Sequence, residues 1–274
     1  MSITVVIPLY NKAGTIGRAL DSVFAQTLLP DGVLVVDDGS TDGGAEVVAA
    51  RTDTTLRLIR QPNGGVSVAR NRGVAEARSE WVAFLDADDE WLPSFLAAVS
   101  GMAARAPEVG VVFSNLRLSS AGEPWLTAGE SGRLRDYFDY FVAQRGHGMS
   151  ASSVLVRCEV LRRAGGFPAG RTHGEDLDTW TRLAWEAPVA YVPEVLAVYH
   201  VAEAGRAMQA GAERVAAGLS HCAQLCRERL RAGRVPEALV RSTRCYAQLL
   251  ELMGARELKD AGHALRALRA LARA

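Results

Sequence analysis

The stretch WVAFLDADDEW, residues 81–91, places a run of apolar residues directly before a cluster of carboxylates. The apolar residues 82–85 are consecutive, which is typical of a strand that is buried on both faces of a sheet. Asp86, Asp88 and Asp89 follow this run at once. Because clustered carboxylates at the end of a buried strand repel one another, we expect something positively charged to lie beside them.

Upstream of this stretch, short β-rich runs alternate with helical patterns. The predicted order is strand 3–10, helix 14–28, strand 32–38, helix 42–51, strand 56–61, helix 66–78 and a strand that begins at 81. The strands are continuously apolar and do not alternate with polar residues. This combination predicts an α/β fold with a mainly parallel sheet that is covered by helices on both faces.

Polar residues collect where each of these strands ends. The strand ends carry the sequences PLYN, DDGSTD, QPNGG and DADDE. In sheets of this kind, ligands bind beyond the carboxyl ends of the strands, so the four loops are expected to line one crevice. The alternative for any single loop is ordinary turn chemistry, since Asp, Asn, Gly and Pro are common in strand-to-helix turns.

The pattern changes in the second half of the chain. Further strands are predicted at 109–118 and 150–157, helices at 134–144 and 175–186, and two short strands over 189–200 that turn at Pro193. Beyond residue 203, the pattern predicts only helices, at 206–232, 236–253 and 256–272. We therefore divide the chain into an α/β domain, 1–202, with halves 1–105 and 106–202, and a helical extension, 203–274.

Composition excludes several classes of function. The 274 residues include 31 basic and 31 acidic side chains, so no net charge attracts nucleic acid. No run approaches the roughly 20 apolar residues that span a bilayer. The four cysteines form no Cys-x-x-Cys pair, and the first residues do not resemble a secretory signal. We therefore expect a cytoplasmic protein whose contact with a membrane, if any, is peripheral, at the inner face of the cell membrane.

The acidic cluster suits a hard metal ion. Asp86 and Asp88 are separated by one residue, so both carboxylates can address one Mg²⁺ or Mn²⁺ ion that also binds substrate phosphates. The alternative is a solvated acidic turn that caps the helix starting near Pro93.

Two further carboxylate pairs suit other parts of a ligand. Asp37 and Asp38 end the second strand, where carboxylates can accept hydrogen bonds from a base N–H or from ribose hydroxyls. Glu175 and Asp176 precede a predicted helix and could provide a general base. Acidic residues at this position also complement a helix dipole, and the sequence does not decide between the two interpretations.

Six motifs in series now identify a family. VVIPLYN, VVDDGSTD, NGGVSVARNRG, FLDADD, the Gly-Gly-Phe at 165–167 and GEDLDTWTRL occur in an order and spacing that resembles family 2 glycosyltransferases of the GT-A fold. The resemblance covers roughly residues 3–200. It implies that a sugar is transferred with inversion from a nucleotide diphosphate donor, most often a UDP-sugar, with the help of Mn²⁺ or Mg²⁺.

The resemblance also implies roles for individual residues. By similarity, Asp38 contacts the nucleobase with Asp37 nearby, and Asp176 is the catalytic base. Asp88 is the main metal ligand, and Asp86 assists through ribose or water. The other donor-binding positions that the resemblance implies are Pro8, Tyr10, Asn11 and Asn71.

His200 ends the run AVYH, at a position where many relatives carry a histidine that completes the metal site. A surface histidine with no metal is the alternative, because imidazole is not a preferred ligand for Mn²⁺.

The sequence departs from the polymer-forming relatives. The Gln-x-x-Arg-Trp motif of processive enzymes is absent after Asp176, where TWTRLAW stands. This difference predicts a single addition to a saccharide or a lipid-linked saccharide acceptor. Two other functions remain open: nucleotidyl transfer, for which we see no Gly-rich phosphate loop near the N-terminus, and an inactive module of the same fold that binds nucleotide-sugars or regulates a partner.

The extension 203–274 lies outside the resemblance and is basic, since residues 201–274 hold 13 basic and 7 acidic side chains. Leu and Arg recur at a spacing of three over 263–274, which indicates an amphipathic helix. Such a helix either touches anionic lipid or packs on the catalytic domain or on a second subunit.

Overall fold

The computed structural model describes residues 1–120, 124–126, 129–171, 173–201 and 211–260. The described strands are β1 Ile3–Leu9, β2 Gly32–Asp37, β3 Leu56–Arg60, β4 Trp81–Phe84, β5 Glu90–Trp91, β6 Val111–Leu118, β7 Gly132–Arg133, β8 Val154–Arg157 and β9 Val189–Tyr199. The described α-helices are α1 Ile16–Phe24, α2 Gly44–Ala49, α3 Val66–Glu76, α4 Phe95–Arg105, α5 Tyr137–Ala143, α6 Cys158–Arg163, α7 Glu175–Glu186, α8 Ala212–Arg231 and α9 Val240–Asp260.

All nine strands join one sheet in the order β3-β2-β1-β4-β8-β6-β9-β5, with β7 paired to β9. The four strands β3, β2, β1 and β4 are parallel, as the apolar runs predict. Strand β8 lies antiparallel between β4 and β6, and β6 pairs with β9 in parallel. The predicted α/β fold with a mixed, mainly parallel sheet is therefore confirmed.

Helices cover both faces of this sheet, because successive side chains of a strand point to opposite faces. In β1, Val5 and Ile7 pack on one face, against α1 and α4. Val6 packs on the other face, in a core that includes Trp180 of α7 and Tyr246 of α9. Strands that are buried on both faces explain why the first half of the sequence shows continuous apolar runs.

Two predicted boundaries are wrong. The run 189–200 forms one strand, β9, and not two, because Pro193 is accommodated where the pairing with β6 shifts its register around Asn115. The predicted break near Met253 is also absent: α9 continues through Gly254, which packs closely against Ala216 of α8. The last predicted helix falls mostly on residues 261–274, which lie outside the described residues.

The helices α8 and α9 pack on the part of the molecule formed by residues 1–202. The hydroxyl groups of Tyr246 and Thr181 are 2.9 Å apart, and Trp185 donates a hydrogen bond to Thr243 at 3.2 Å. These contacts join α9 to α7, so the described part of the extension shares a core with residues 1–202. Within the described ranges, no helix is both long enough and apolar enough to cross a membrane.

The close approach of α3 to the sheet gives a stability test. A Cβ atom added at Gly73 would lie 2.3 Å from a methyl carbon of Val6, whereas a Cβ atom at Gly17 of α1 meets open space. We expect Gly73→Ala to lower the free energy of unfolding by about 1–3 kcal/mol through overpacking. Gly17→Ala is the matched control and should raise it by about 0.5–1 kcal/mol, since alanine favours a helix. Urea unfolding curves of the two variants measure both changes in the free energy of unfolding. Equal changes in the two variants would contradict the close packing of Gly73 against Val6.

Candidate active site

The loops that follow β1 and β2 meet at the carboxyl edge of the sheet, as predicted. Asn11 connects them: its side-chain oxygen accepts a hydrogen bond from the Thr41 N–H at 2.8 Å, and its own N–H donates to the Ser40 hydroxyl at 3.1 Å. Asn11 has a φ of 52°, in the left-handed region that asparagine tolerates better than most residues. Pro8 lies buried within β1, and the side chain of Tyr10 is exposed beside this junction. Their predicted contacts with a nucleoside stay predictions.

Asp38 ties the end of β2 to the loop after β3. Its buried carboxylate accepts hydrogen bonds from Gln61 at 2.8 Å and from the N–H groups of Gly64 and Gly65 at 2.9 and 2.7 Å. A carboxylate offers about four acceptor positions, so these contacts leave about one for a ligand. The neighbouring Asp37 accepts from the Ser40 N–H at 3.0 Å. The contact of Asp37 and Asp38 with a nucleobase stays a prediction.

The acidic cluster after β4 has the positive partners that its charge demands. Asp86 pairs with Arg70 at 2.8 Å, and Asp88 pairs with Lys12 at 2.5 Å. Burial and the charge of Asp86 raise the pKa of the Asp88 carboxyl, although Lys12 opposes this shift. The rise in pKa is therefore caused mainly by burial of the carboxyl group, and the cations Lys12 and Arg70 lie beside the strand end.

Asp89 differs from Asp86 and Asp88, because it forms no ion pair with a cation in the described part of the chain. It lies 2.5 Å from the Ser152 hydroxyl and accepts a hydrogen bond from the backbone N–H of His200 at 3.1 Å. Burial, followed by the repulsion of Asp86, raises its pKa well above the ordinary value. Asp89 thus joins β4 to the end of β9 and is part of the structural frame of the site.

Arg70 is the central cation of the site, and the sequence motifs did not single it out. It is only 3% exposed, and it bridges Asp86 at 2.8 Å and Glu175 at 3.3 Å. Burial alone would lower the pKa of Arg70, but the charges of the two carboxylates outweigh burial and raise it. Its position in the sequence could have identified it as a buried residue. Arg70 lies three residues after Ser67 and four before Val74, on the buried stripe of α3.

Asp176 is the second residue of α7 and lies beside this bridge. Its carboxylate accepts a hydrogen bond from the Leu177 N–H at 2.7 Å. Burial, helped by the repulsion of Glu175, raises the pKa of Asp176 to about 6, while the charge of Arg70 opposes the shift. A carboxylate with this pKa is mostly ionised at neutral pH and still takes up a proton more readily than an ordinary aspartate, which suits a general base.

Asn71 faces the Gly-Gly-Phe turn. Its amide nitrogen donates to the carbonyl of Phe167 at 2.7 Å, and its amide oxygen accepts from the N–H of the same residue at 2.8 Å. A side chain at Gly166 would collide with this amide, because a Cβ atom there lies 2.6 Å from the oxygen. The observed contacts of Asn71 are therefore within the protein, and its predicted donor contact stays a prediction.

His200 lies beside Glu90, with 3.4 Å between the imidazole Nε2 and a carboxylate oxygen. Among the described residues, no ready-formed group of three His, Cys, Asp or Glu side chains could hold a metal. Mg²⁺, however, is commonly held by one or two carboxylates together with substrate phosphates. Asp86 and Asp88 supply such oxygen ligands, because a carboxylate that pairs with one cationic side chain keeps further acceptor positions for a metal ion. The residues present therefore fit a metal site that the donor completes, and the role of His200 in it stays a prediction.

Residues 4–165 match the sequence profile of the family described as glycosyl transferase family 2. The succinoglycan biosynthesis protein ExoW of Rhizobium meliloti is 49% identical over 100 residues, which are 34% of this chain and 31% of ExoW. The chain spans between about a third and two thirds of the length of several curated relatives that it matches.

Solved structures agree with the fold. Staphylococcus aureus TarS 1–349 in complex with UDP-GlcNAc superimposes with a TM-score of 0.73 at 21% identity, over 94% of this chain and 73% of that one. The mannosyltransferase PcManGT of Pyrobaculum calidifontis, in complex with GDP-Man and Mn²⁺, superimposes with a TM-score of 0.68 at 26% identity. That match covers 99% of this chain and 75% of the mannosyltransferase.

Proposed function

Because the chain belongs to glycosyl transferase family 2 and has the GT-A fold, we propose that it transfers a sugar from a nucleotide diphosphate donor to an acceptor hydroxyl, with inversion and with the help of a divalent cation. The observation that carries this proposal is the position of Asp176. A carboxylate with a pKa of about 6 stands next to the Arg70 bridge, which ties α7 to the acidic strand end. A base and a phosphate-binding edge of the sheet thus adjoin one another.

The donor lies, in this proposal, along the carboxyl edge of β1, β2 and β4. Pro8, Tyr10 and Asn11 border the nucleoside, and Asp37 and Asp38 face the base. The solved relatives bind UDP-GlcNAc and GDP-Man, respectively. We propose a UDP-sugar as the donor, and the name of ExoW supports polysaccharide biosynthesis as the setting.

Asp88 and Asp86 would hold the divalent cation, which supplies positive charge to the departing diphosphate. The protein adds positive charge of its own, since Lys12 pairs with Asp88 and Arg70 pairs with Asp86. Arg70 also holds Glu175, so the carboxylate next to the base is kept in an ion pair. Of the two neighbouring carboxylates, Glu175 and Asp176, it is therefore Asp176 that can receive a proton.

In the proposed reaction, Asp176 accepts the proton of the acceptor hydroxyl as its oxygen attacks the anomeric carbon. The attack comes from the face opposite the diphosphate, so the bond from the anomeric carbon to the phosphate oxygen breaks and the configuration inverts. The nucleoside diphosphate leaves with the electrons of that bond. No covalent intermediate with the enzyme is needed, and one sugar is added in each reaction.

Proton NMR of the anomeric signals tests this proposal. The protein is incubated with UDP-glucose, UDP-galactose, UDP-GlcNAc or GDP-mannose, MnCl₂ and a mixture of candidate acceptors. The expected result is one β-linked product from one α-linked donor, together with an equal amount of nucleoside diphosphate. An α-linked product would contradict inversion, and a ladder of growing products would contradict single addition. Tight binding of a nucleotide-sugar with no turnover under any condition would favour the inactive module.

A further inference from the structure

A cavity of about 320 Å³ is formed in part by the loop that precedes the proposed catalytic base, and the donor site described above does not use it. It is lined by Gly170, Arg171, His173, Arg214, Ala217 and Gly218. Its volume is at the lower end of the roughly 300–1,000 Å³ that is typical of ligand pockets. Its walls come from the loop before α7 and from the first turns of α8.

Two glycines bring these walls together. A Cβ atom added at Gly174 would lie 3.0 Å from the backbone of Gly218, so the loop and the helix pack with main chain against main chain. Arg214 lies four residues before Gly218 and therefore on the same face of α8. The close packing at Gly218 thus turns Arg214 toward the loop that carries Arg171 and His173.

The cavity is positively charged and its charges are not neutralised within the described part of the chain. Neither Arg171 nor Arg214 makes an ion pair or a side-chain hydrogen bond with another described residue. Asp178 of α7, which contacts α8 through His221 at 3.1 Å, is already paired with Arg182 at 2.6 Å. Two guanidinium groups and an imidazole on one concave surface are the donors that a phosphate group prefers.

One wall of the cavity lies close to Asp176 along the chain. His173 precedes Asp176 by three residues, so their Cα atoms are at most about 11 Å apart. A ligand anchored by its phosphate in the cavity would extend toward Asp176 over roughly the length of one sugar ring. The donor phosphates belong to the acidic strand end, beside Lys12 and Arg70, so the cavity suits the other substrate.

We propose that this cavity is an acceptor subsite, which binds a phosphate group of the acceptor through Arg171, His173 and Arg214. The inference rests on the proposed function, and it specifies the acceptor as a phosphate-bearing saccharide. The phosphate comes either from a soluble sugar phosphate or from the diphosphate of a lipid-linked sugar.

Binding of inorganic pyrophosphate tests the cavity without any turnover. Isothermal titration in EDTA compares the parent protein with the double variant Arg171→Gln/Arg214→Gln. The matched control is Arg241→Gln/Arg244→Gln, which removes two exposed arginines from the far end of the α8–α9 pair. We expect the parent and the control to bind pyrophosphate with the same affinity. The affinity of the double variant should be lower by roughly tenfold or more. Equal binding by all three proteins, or no binding by the parent, would overturn the proposal.

Transfer assays then identify the source of the phosphate. Sugar 1-phosphates and undecyl-diphosphate sugars are compared with the octyl glycosides of the same sugars. A preference for either phosphate-bearing form that is lost in Arg171→Gln/Arg214→Gln, with an unchanged KM for the donor, supports the subsite and names its ligand. Equal transfer to the octyl glycosides would overturn the acceptor role. If pyrophosphate binds in the cavity but no acceptor is glycosylated and no nucleotide binds, the proposed function fails and the anion site stands.

Discussion

Replacement of Asp176 by asparagine is expected to lower the rate of sugar transfer by roughly 10²- to 10⁴-fold, which is the usual contribution of a general base. Asparagine has nearly the same shape but cannot take up the proton of the acceptor hydroxyl. Nucleotide binding should be nearly unchanged, because the proposed donor site is built from the loops after β1, β2 and β4. Transfer rates and nucleotide affinity are measured on the same preparation.

Asp139→Asn is the matched control for this experiment. Asp139 also lies in the first turn of a helix, α5, but it is exposed. Its replacement should leave both the transfer rate and nucleotide binding at the parent values. Transfer by Asp176→Asn at the parent rate would refute the assignment of the base.

The raised pKa of Asp176 also predicts the pH dependence. The base is active when it is ionised, so kcat/KM should rise with pH up to about 6 and then level off. The effect of pH on stability has the opposite sign to its effect on kcat/KM. Because the folded protein binds this proton more tightly than the unfolded chain does, the contribution of Asp176 to stability is largest at low pH and declines as the pH rises through about 6. Asp176→Asn should therefore be more stable than the parent at pH 7.5 and nearly equal to it at pH 4, as measured by urea unfolding.

Replacement of Arg70 by methionine is expected to destabilise the protein by about 3–5 kcal/mol. Methionine fills a similar volume but leaves the partly buried carboxylates of Asp86 and Glu175 without their shared cation. The guanidinium also lies over the ring of Phe167 at 5.2 Å, and this contact is lost as well. Urea unfolding measures the change in the free energy of unfolding.

Arg72→Met is the matched control on the same helix. Arg72 is exposed and, among the residues that the structure describes, forms an ion pair with Glu76 alone, four residues later, at 2.9 Å. Exposed pairs of this kind contribute about 0.3–0.5 kcal/mol, so the control should change stability by no more than that. A loss of less than 1 kcal/mol in Arg70→Met would show that the bridge is not what holds α3, β4 and α7 together.

The parallel half of the sheet was predictable because its signal is local. Strands β1, β2 and β4 are buried on both faces, so their apolar runs are uninterrupted, and the helices between them show a buried stripe such as Ile16, Leu20 and Val23 in α1. The two-residue strands β5 and β7 carry no such signal. They exist because they pair with β9, which is distant in sequence.

The site was predictable in part for a similar reason. The carboxylates stand at strand ends, and strand ends can be read from the sequence. The partners of these carboxylates cannot be read in this way, because Arg70 reaches Glu175 across 105 residues and Lys12 reaches Asp88 across 76. Asn71 shows most clearly that the contacts of a side chain cannot be predicted from its motif. Its motif suggests a donor contact, but only the fold shows that both of its polar atoms are bonded to Phe167.

The proposed function requires that the carboxyl edge of this sheet binds a nucleoside diphosphate together with a divalent cation. Thermal unfolding in the presence of UDP, GDP, dTDP or CMP, each with MnCl₂ or with EDTA, tests it most directly. A nucleotide at 100 times its Kd stabilises the folded state by about 2.7 kcal/mol, which is a clear rise in Tm. We predict that UDP raises the Tm strongly with MnCl₂ and weakly with EDTA, and that Asp88→Asn abolishes the difference. If no nucleotide raises the Tm of the parent protein with MnCl₂ or with EDTA, the acidic strand end is not a donor site and the proposed function is wrong.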